Sequence, residues 1–226
     1  MKISKVLIFT LLLSIPLFRT YSGFSQAKQE EKIVASTKVL KDFSEMKENI
    51  PKKLFEITEG MIIIPKLINA GFVVAGKRGK GIATVKLADG SWSDPVFVTI
   101  TGGSLGFQVG IQSVDLVLIF KNNETLENIG KGSFTLGGDI SVTAGPVGRN
   151  STASTDYKME AEVYSYSRSK GLFAGISLSG SAIDIDEKSN EAFYGNDKEA
   201  KEIFASSSHS SSSVALLKKT LRDLYK

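Results

Sequence analysis

Leu105-Gly106-Phe107-Gln108-Val109-Gly110-Ile111-Gln112 alternates large apolar side chains with glycine and glutamine. Two other stretches share the pattern. Leu136, Gly138, Ile140 and Val142 alternate with Gly137, Asp139, Ser141 and Thr143, and Phe173, Ile176 and Leu178 stand among Ala174, Gly175, Ser177, Ser179 and Gly180. A period of two sends successive side chains to opposite faces of a strand. Glycine inside a strand weakens it, so its repeated use points to strong coiling or to close approach by another backbone, helix or ligand. Either a closed or strongly curved sheet accounts for the pattern, or a surface shaped for a lipid or partner does.

The β reading extends to both sides. Met61-Ile62-Ile63-Ile64 and Phe72-Val73-Val74 are short apolar runs, and Gly81 to Leu87 alternates before Asp89-Gly90. Asp-Gly between alternating runs is a strong hairpin signal, with Val96 to Thr101 as the returning strand. Helical turns are expected near Glu124 to Ile129 and near Asn190 to Tyr194. Before the sheet, Ile33, Leu40, Phe43, Met46, Ile50 and Leu54 recur at helical spacing from Lys28 to about Thr58. Pro51 there sits at the first turn of a second short helix. The charged face of the first helix mixes signs, as a solvated face does.

After Asn196 the composition shifts. Ser206 to Ser213 is seven serines around the chain's one histidine, His209, and predicts a flexible linker. Val214 to Tyr225 then predicts a short amphipathic helix striped by Leu217, Leu221 and Leu224, either docked on the domain or free to bind a surface. The expected fold is α+β and predominantly antiparallel β. The sheet is curved, barrel- or sandwich-like, with N-terminal helices and a short C-terminal helix.

Residues 1–27 have the parts of a secretory signal peptide. Lys2 and Lys5 precede an apolar stretch from Val6 to Phe18, and Ser25-Gln26-Ala27 offers small residues for cleavage after Ala27. The apolar run is shorter than the roughly 20 residues that span a bilayer. No cysteine is available to carry a lipid. The expected organisation is therefore a signal peptide (1–27), a domain (28–196) and a serine-rich linker with its helix (197–226). The mature chain is expected to be soluble and exported, to the periplasm or beyond the cell, with peripheral membrane association open to it.

Composition narrows the chemistry. The 226 residues carry 28 basic and 24 acidic side chains, a formal +4. Lys2, Lys5 and Arg19 are the only charges in 1–27, and without them the signs differ by one. So small a net charge gives no global attraction to nucleic acid. Absence of cysteine excludes disulfides, thiolate metal sites and cysteine nucleophiles, and one histidine leaves little for metal or acid–base work. No cofactor is expected, and an enzyme is not.

Local motifs agree. Gly102-Gly103-Ser104-Leu105-Gly106 matches a nucleophile elbow, but an alternating strand follows it where a helix is required. Gly71 to Lys77 matches most of a phosphate-binding loop, yet Arg78 stands where Ser or Thr should hold magnesium and its interior is a hydrophobic strand. Asp184 and Asp186 lack the remaining ligands of a calcium loop. Asp115, alone in an apolar run, calls for a hydrogen bond or ion pair.

Three short basic turns remain. Lys77-Arg78-Gly79-Lys80 lies between two strands, Pro146-Val147-Gly148-Arg149-Asn150 follows a strand end, and Arg168-Ser169-Lys170-Gly171 joins two strands. Cations on glycine turns can approach phosphate closely, and arginine can hold it in bidentate fashion. Lys77, Arg78, Lys80, Arg149, Arg168 and Lys170 are the candidate contacts for an anionic headgroup.

Several stretches carry a family resemblance when taken in order. They are Asp89-Gly90-Ser91-Trp92-Ser93-Asp94-Pro95, Gly106-Phe107-Gln108-Val109-Gly110 with Asp115, Leu136-Gly137-Gly138-Asp139, Gly145-Pro146-Val147-Gly148-Arg149, Tyr166 to Gly175, and Asn190-Glu191-Ala192-Phe193-Tyr194-Gly195. Together they resemble the SYLF domain, from about Lys38 to Gly195. The resemblance implies a mainly β lipid-binding module flanked by helices. Eukaryotic members bind phosphoinositides and some bind actin, and stand-alone bacterial members are exported. It supplies no headgroup site residue by residue. The expected function is non-enzymatic binding of anionic phospholipid at a membrane surface. The alternatives are an envelope structural or protein-interaction module, and a carrier holding a lipid in an apolar cavity.

Overall fold

The computed structural model describes residues 17–46, 50–72, 74–105, 110–122, 125–126, 134–145, 161–195 and 198–224. Helices α1 (Leu17–Ser44) and α2 (Lys52–Glu56) precede the sheet. Its strands are β1 (Gly60–Phe72), β2 (Val74–Val85), β3 (Val96–Leu105), β4 (Gly110–Phe120), β5 (Phe134–Leu136), β6 (Val142–Ala144), β7 (Val163–Ser169), β8 (Leu172–Phe173) and β9 (Ser181–Ile185). Helices α3 (Glu187–Tyr194), α4 (Ala200–Phe204) and α5 (Ser212–Leu224) follow.

The strand order is β5-β9-β3-β2-β1-β4-β7-β6, with β8 paired to β7. Every pairing between the named strands is antiparallel except β6 with β7. The edge strands β5 and β6 are joined by residues 137–141 alone, a link that reaches at most about 20 Å. Leu136 and Ile140 also form a bridge within that link. Opposite edges so tethered force the sheet to curl into a half-barrel, as the glycine-rich alternation predicted.

Both faces of the sheet are buried. Ile62, Ile64, Leu67, Val98, Ile100, Leu116, Leu118 and Phe120 fill the concave interior, which Ile203 and Phe204 of α4 help to close. Phe120 and Phe134 meet there edge to face, 6.5 Å apart. On the convex face Met61, Ile63, Ile82, Phe97, Val117 and Ile119 pack under Ile33, Leu40 and Phe43 of α1, Leu54 and Phe55 of α2, and Leu217 and Leu221 of α5. Alternate residues of β1 and β4 therefore serve two cores, which explains their near-continuous apolar runs.

The predicted strands differ from the observed ones in three places. The 105–112 run is divided: Leu105 ends β3, Gly110 opens β4, and those strands flank the β1–β2 hairpin. In 136–143, Gly137 adopts a left-handed φ of 78° that breaks the strand into a turn, a conformation glycine takes without steric penalty. In 173–180 only Leu172–Phe173 is strand, and Gly180 again has positive φ. The first basic stretch also changes character. Lys77-Arg78-Gly79-Lys80 is not a turn but the middle of β2, paired with β1 and β3. Gly79 and the following Gly81 serve close packing: a Cβ on Gly81 would collide with the Ile63 carbonyl.

The serine-rich segment is packed, not a loose linker. Asp94, 1% exposed, accepts hydrogen bonds from the His209 backbone N–H at 3.0 Å and from Ser206 Oγ at 3.1 Å. Lys218 Nζ of α5 reaches the same carboxylate at 2.7 Å. The His209 ring lies against Phe193 and Tyr194, 4.7 and 5.0 Å away. Of the two placements open to the C-terminal helix, the structure has it docked, with α5 on α1. The Asp89-Gly90 turn is as predicted, with Gly90 at φ 80° and Leu87 N–H donating to Ser91 O at 2.8 Å. The helical turn expected near 124–129 is described only at Thr125 and Leu126, and the one near 190–194 is α3.

Two substitutions check this account. Gly81→Ala forces backbone apart and is expected to destabilise by about 1–3 kcal/mol in urea unfolding. An unchanged midpoint would refute the close approach. Asp94→Asn is expected to leave the sheet protected but to raise amide exchange across 206–224. Uniform protection of that segment would show that the carboxylate does not hold it.

Candidate functional site

The six candidate cations have different fates. Lys77 turns into the concave interior, where its Nζ donates to the Ser177 carbonyl, and burial pushes its ammonium pKa down. Lys80 is on the convex face, 2.7 Å from Asp186 Oδ2. Burial alone would raise the Asp186 carboxyl, but hydrogen bonds from Lys80 and Ser189 outweigh it and leave it below the usual carboxylate range. Asp186 also caps α3, so Lys80 is committed to structure. Lys32 of α1 lies nearby, its pKa lowered by burial and by the Lys80 charge.

Arg168 is committed more fully. Its guanidinium donates to Asp115 Oδ2 from Nε at 3.1 Å and from Nη2 at 2.9 Å, and Nη2 also contacts Asp42 of α1. It lies over the Phe43 ring, 5.5 Å from the centroid. Asp115 and Arg168 are cross-strand partners in β4 and β7, so the ion pair follows from register. Asp115 thus has the partner its apolar surroundings demanded. For Asp42, burial works against ionisation, but bonds from Lys38 and Arg168 prevail and lower its pKa. Arg168 and Lys80 are therefore not free for phosphate.

Arg78 and Lys170 are exposed, and neither pairs with a described carboxylate. Lys170 occupies the β7–β8 turn with φ 50°, so that turn is as predicted. Arg149 lies outside the described residues. A further exposed cation, Lys66, escaped the sequence reading. It sits at φ 54° in the irregularity where β1 shifts register between Ile64 and Leu67, and its backbone N–H donates to Asp115 Oδ1 at 3.1 Å. Pro65, a proline inside an apolar β run, was the signal for that bulge.

Register brings the exposed cations to one end of the sheet. Arg78 pairs with Ile68, Ile68 with Ser113, and Ser169 Oγ donates to the Ser113 carbonyl at 3.2 Å beside Lys170. Elsewhere the surface has open grooves of both charge signs. One of about 540 Å³ lies between α1, α2 and α5, lined by Lys41, Glu45, Ile50, Lys52 and Asp223 among others. Ser104 of the elbow-like motif lies in β3, the next described element is strand β4, and the His209 ring packs on α3. Among the described residues no group of three potential metal ligands occurs, and no helix is long and apolar enough to cross a membrane.

A curled antiparallel sheet, filled inside and sheathed by helices outside, defines an α+β half-barrel domain. The model of the family described as Ysc84, Las17-binding protein actin regulator, matches residues 101–224, and the chain belongs to this Ysc84 (SYLF) family. It is 36% identical over 184 residues to LAS seventeen-binding protein 3 of Saccharomyces cerevisiae (strain ATCC 204508 / S288c), covering 80% of this chain and 40% of the yeast protein. It is 37% identical over 186 residues to SH3 domain-containing YSC84-like protein 1 of Homo sapiens, covering 79% and 54%. The bovine protein of that name is 38% identical over a stretch of the same length. The chain thus spans about half or less of these relatives. The match through residue 224 takes in the serine segment and α5, in accord with their packing onto the domain.

The lowered carboxyl pKa values set a pH dependence. Asp42 and Asp186 titrate below their unfolded value of about 3.9, so their contribution is complete above that pH and disappears as the pH falls through the lower folded values. Stability is expected to drop below about pH 4, and the drop should be shallower in Asp42→Asn with Asp186→Asn. Arg168→Ala should cost about 1–3 kcal/mol at pH 7, because it strips charge-assisted hydrogen bonds from two carboxylates. Parallel acid titrations of the variants and the unsubstituted chain would contradict both assignments.

Proposed function

We propose that this chain is a non-enzymatic binding module for anionic phospholipids at a membrane surface. The observation that carries the reading is that Arg78, Lys170 and Lys66 stand exposed, without a described carboxylate partner, at one end of the sheet. A phosphate there meets cations that no internal pair has neutralised. The names of the relatives, a binding protein and an actin regulator, describe recognition and not turnover, which supports the non-enzymatic part. Lys77, Lys80 and Arg168 take structural roles in this reading.

We propose further that the chain is exported after cleavage at Ala27. α1 runs continuously from Leu17, but its first buried side chain beyond residue 24 is Gln29. Of the side chains that cleavage would remove, the described ones are Ser25, Gln26 and Ala27, half-buried to exposed.

A second reading follows from the relatives' names: the same domain docks a protein, as LAS seventeen-binding protein 3 is named for doing. Vesicle flotation separates the two. The full chain is expected to float with phosphatidylglycerol-containing vesicles more than with phosphatidylcholine alone, and added salt should reduce the difference. The zwitterionic arm reports any contribution from the apolar N-terminal stretch. Equal flotation in both arms would eliminate the electrostatic mechanism and favour protein docking.

A further inference from the structure

The sheet extends past its helical cover. α1 crosses the convex face at the level of Lys80, which lies near Lys32, and of Arg168, which contacts Asp42. Beyond that crossing, β1, β2 and β4 continue toward the β1–β2 hairpin with no described helix over them. Ile68, paired with Arg78 and Ser113, is 41% exposed there. Ile111, paired with Ala70 one step on, is 81% exposed. Leu172, in β8 beside the same end, is 73% exposed. These are half of the large apolar side chains exposed among the described residues.

The charge around them is one-sided. The stretches at this end, residues 66–70, 76–80, 101–103, 111–115 and 168–172, carry six cations and a single carboxylate of their own, Asp115, with Asp186 and Asp42 reaching in from neighbouring elements. Asp115 is occupied by Arg168. Lys80 is held by Asp186 and Lys77 is buried, so Lys66, Arg78 and Lys170 remain as outward charge. A purely basic surface would suit any polyanion. Bulky aliphatic side chains beside cations suit a boundary where phosphate overlies hydrocarbon, as interfacial membrane-binding elements do.

We infer that this end of the sheet is the edge that enters an anionic phospholipid surface. Ile68, Ile111 and Leu172 reach the headgroup–acyl boundary, and Lys66, Arg78 and Lys170 contact the phosphates. The inference rests on the phospholipid reading and adds an orientation: the sheet end faces the membrane, and the α1–α5 layer does not lead.

Tryptophan placement tests it, because the one native tryptophan, Trp92, is 2% exposed and gives a constant background. Ile111→Trp and, on the exposed side of α1, Val34→Trp are compared in the full chain with vesicles of phosphatidylglycerol and bromine-labelled phosphatidylcholine. Circular dichroism checks that each variant folds. Ile111→Trp is expected to shift to the blue and be quenched, while Val34→Trp stays solvent-like. Separately, Arg78→Gln and Lys170→Asn should each weaken association about fivefold; asparagine tolerates the positive φ at 170. If the chain floats with anionic vesicles while Ile111→Trp remains unquenched, the sheet end is the wrong face and the lipid reading stands. If the unsubstituted chain shows no preference for anionic vesicles, the lipid reading fails and this inference fails with it.

Discussion

Arg168 determines how far the helical layer reaches along the sheet. Its guanidinium joins Asp115 in β4 to Asp42 in α1 and rests on Phe43, so helix and sheet meet at one height. Lys80 and Asp186 tie β2 to the start of α3 at the other side of the crossing, close to Lys32 of α1. Between these pairs α1 buries Ile33, Leu40 and Phe43, and past them the strands run on with no described helix over them. Cations that look interchangeable in a sequence thus divide into those that clamp the fold and those left for a ligand. The division follows from register: positions 78 and 80 share a face of β2, but only Lys80 comes within reach of a buried carboxylate.

The filled interior bears on what such a domain can hold. A curled sheet could enclose a lipid, but here Leu116, Leu118, Phe120, Phe134, Ile203 and Phe204 occupy the concave side. Lys77 also turns inward and spends its charge on a backbone carbonyl. The grooves described on the surface mix charges of both signs around small apolar areas. Recognition is therefore expected on the outside, at rims and strand ends, and not by engulfment.

Much of the fold was legible because it depends on local spacing. The runs 61–64 and 82–87, the Asp89-Gly90 turn and the helical recurrence through Ile33, Leu40 and Phe43 need only near neighbours for their meaning. The division of 105–112 was hidden, because alternation reads the same on a strand that continues and on two strands separated by a crossing. Glycine was ambiguous at 79 and 81, where it marks close approach and not a turn. The serines at 206–213 read as loose because their organiser, Asp94, is more than a hundred residues away. Arg168 and Asp42 are similarly remote, and nothing in either neighbourhood names the other. Of the candidate site, Arg78 and Lys170 were legible as cations without local acids, whereas Lys66 needed the bulge at Pro65.

The helices α1 and α5 lie side by side and run in the same direction. Ser211, just before α5, meets Glu30 midway along α1, and Asp223 and Leu224 share a groove with Lys41 and Ser44 near the end of both. Thirteen residues of α5 separate these points by about 20 Å. A tether entering at the amino end and a tether leaving at the carboxyl end would thus depart from opposite poles of one helical pair.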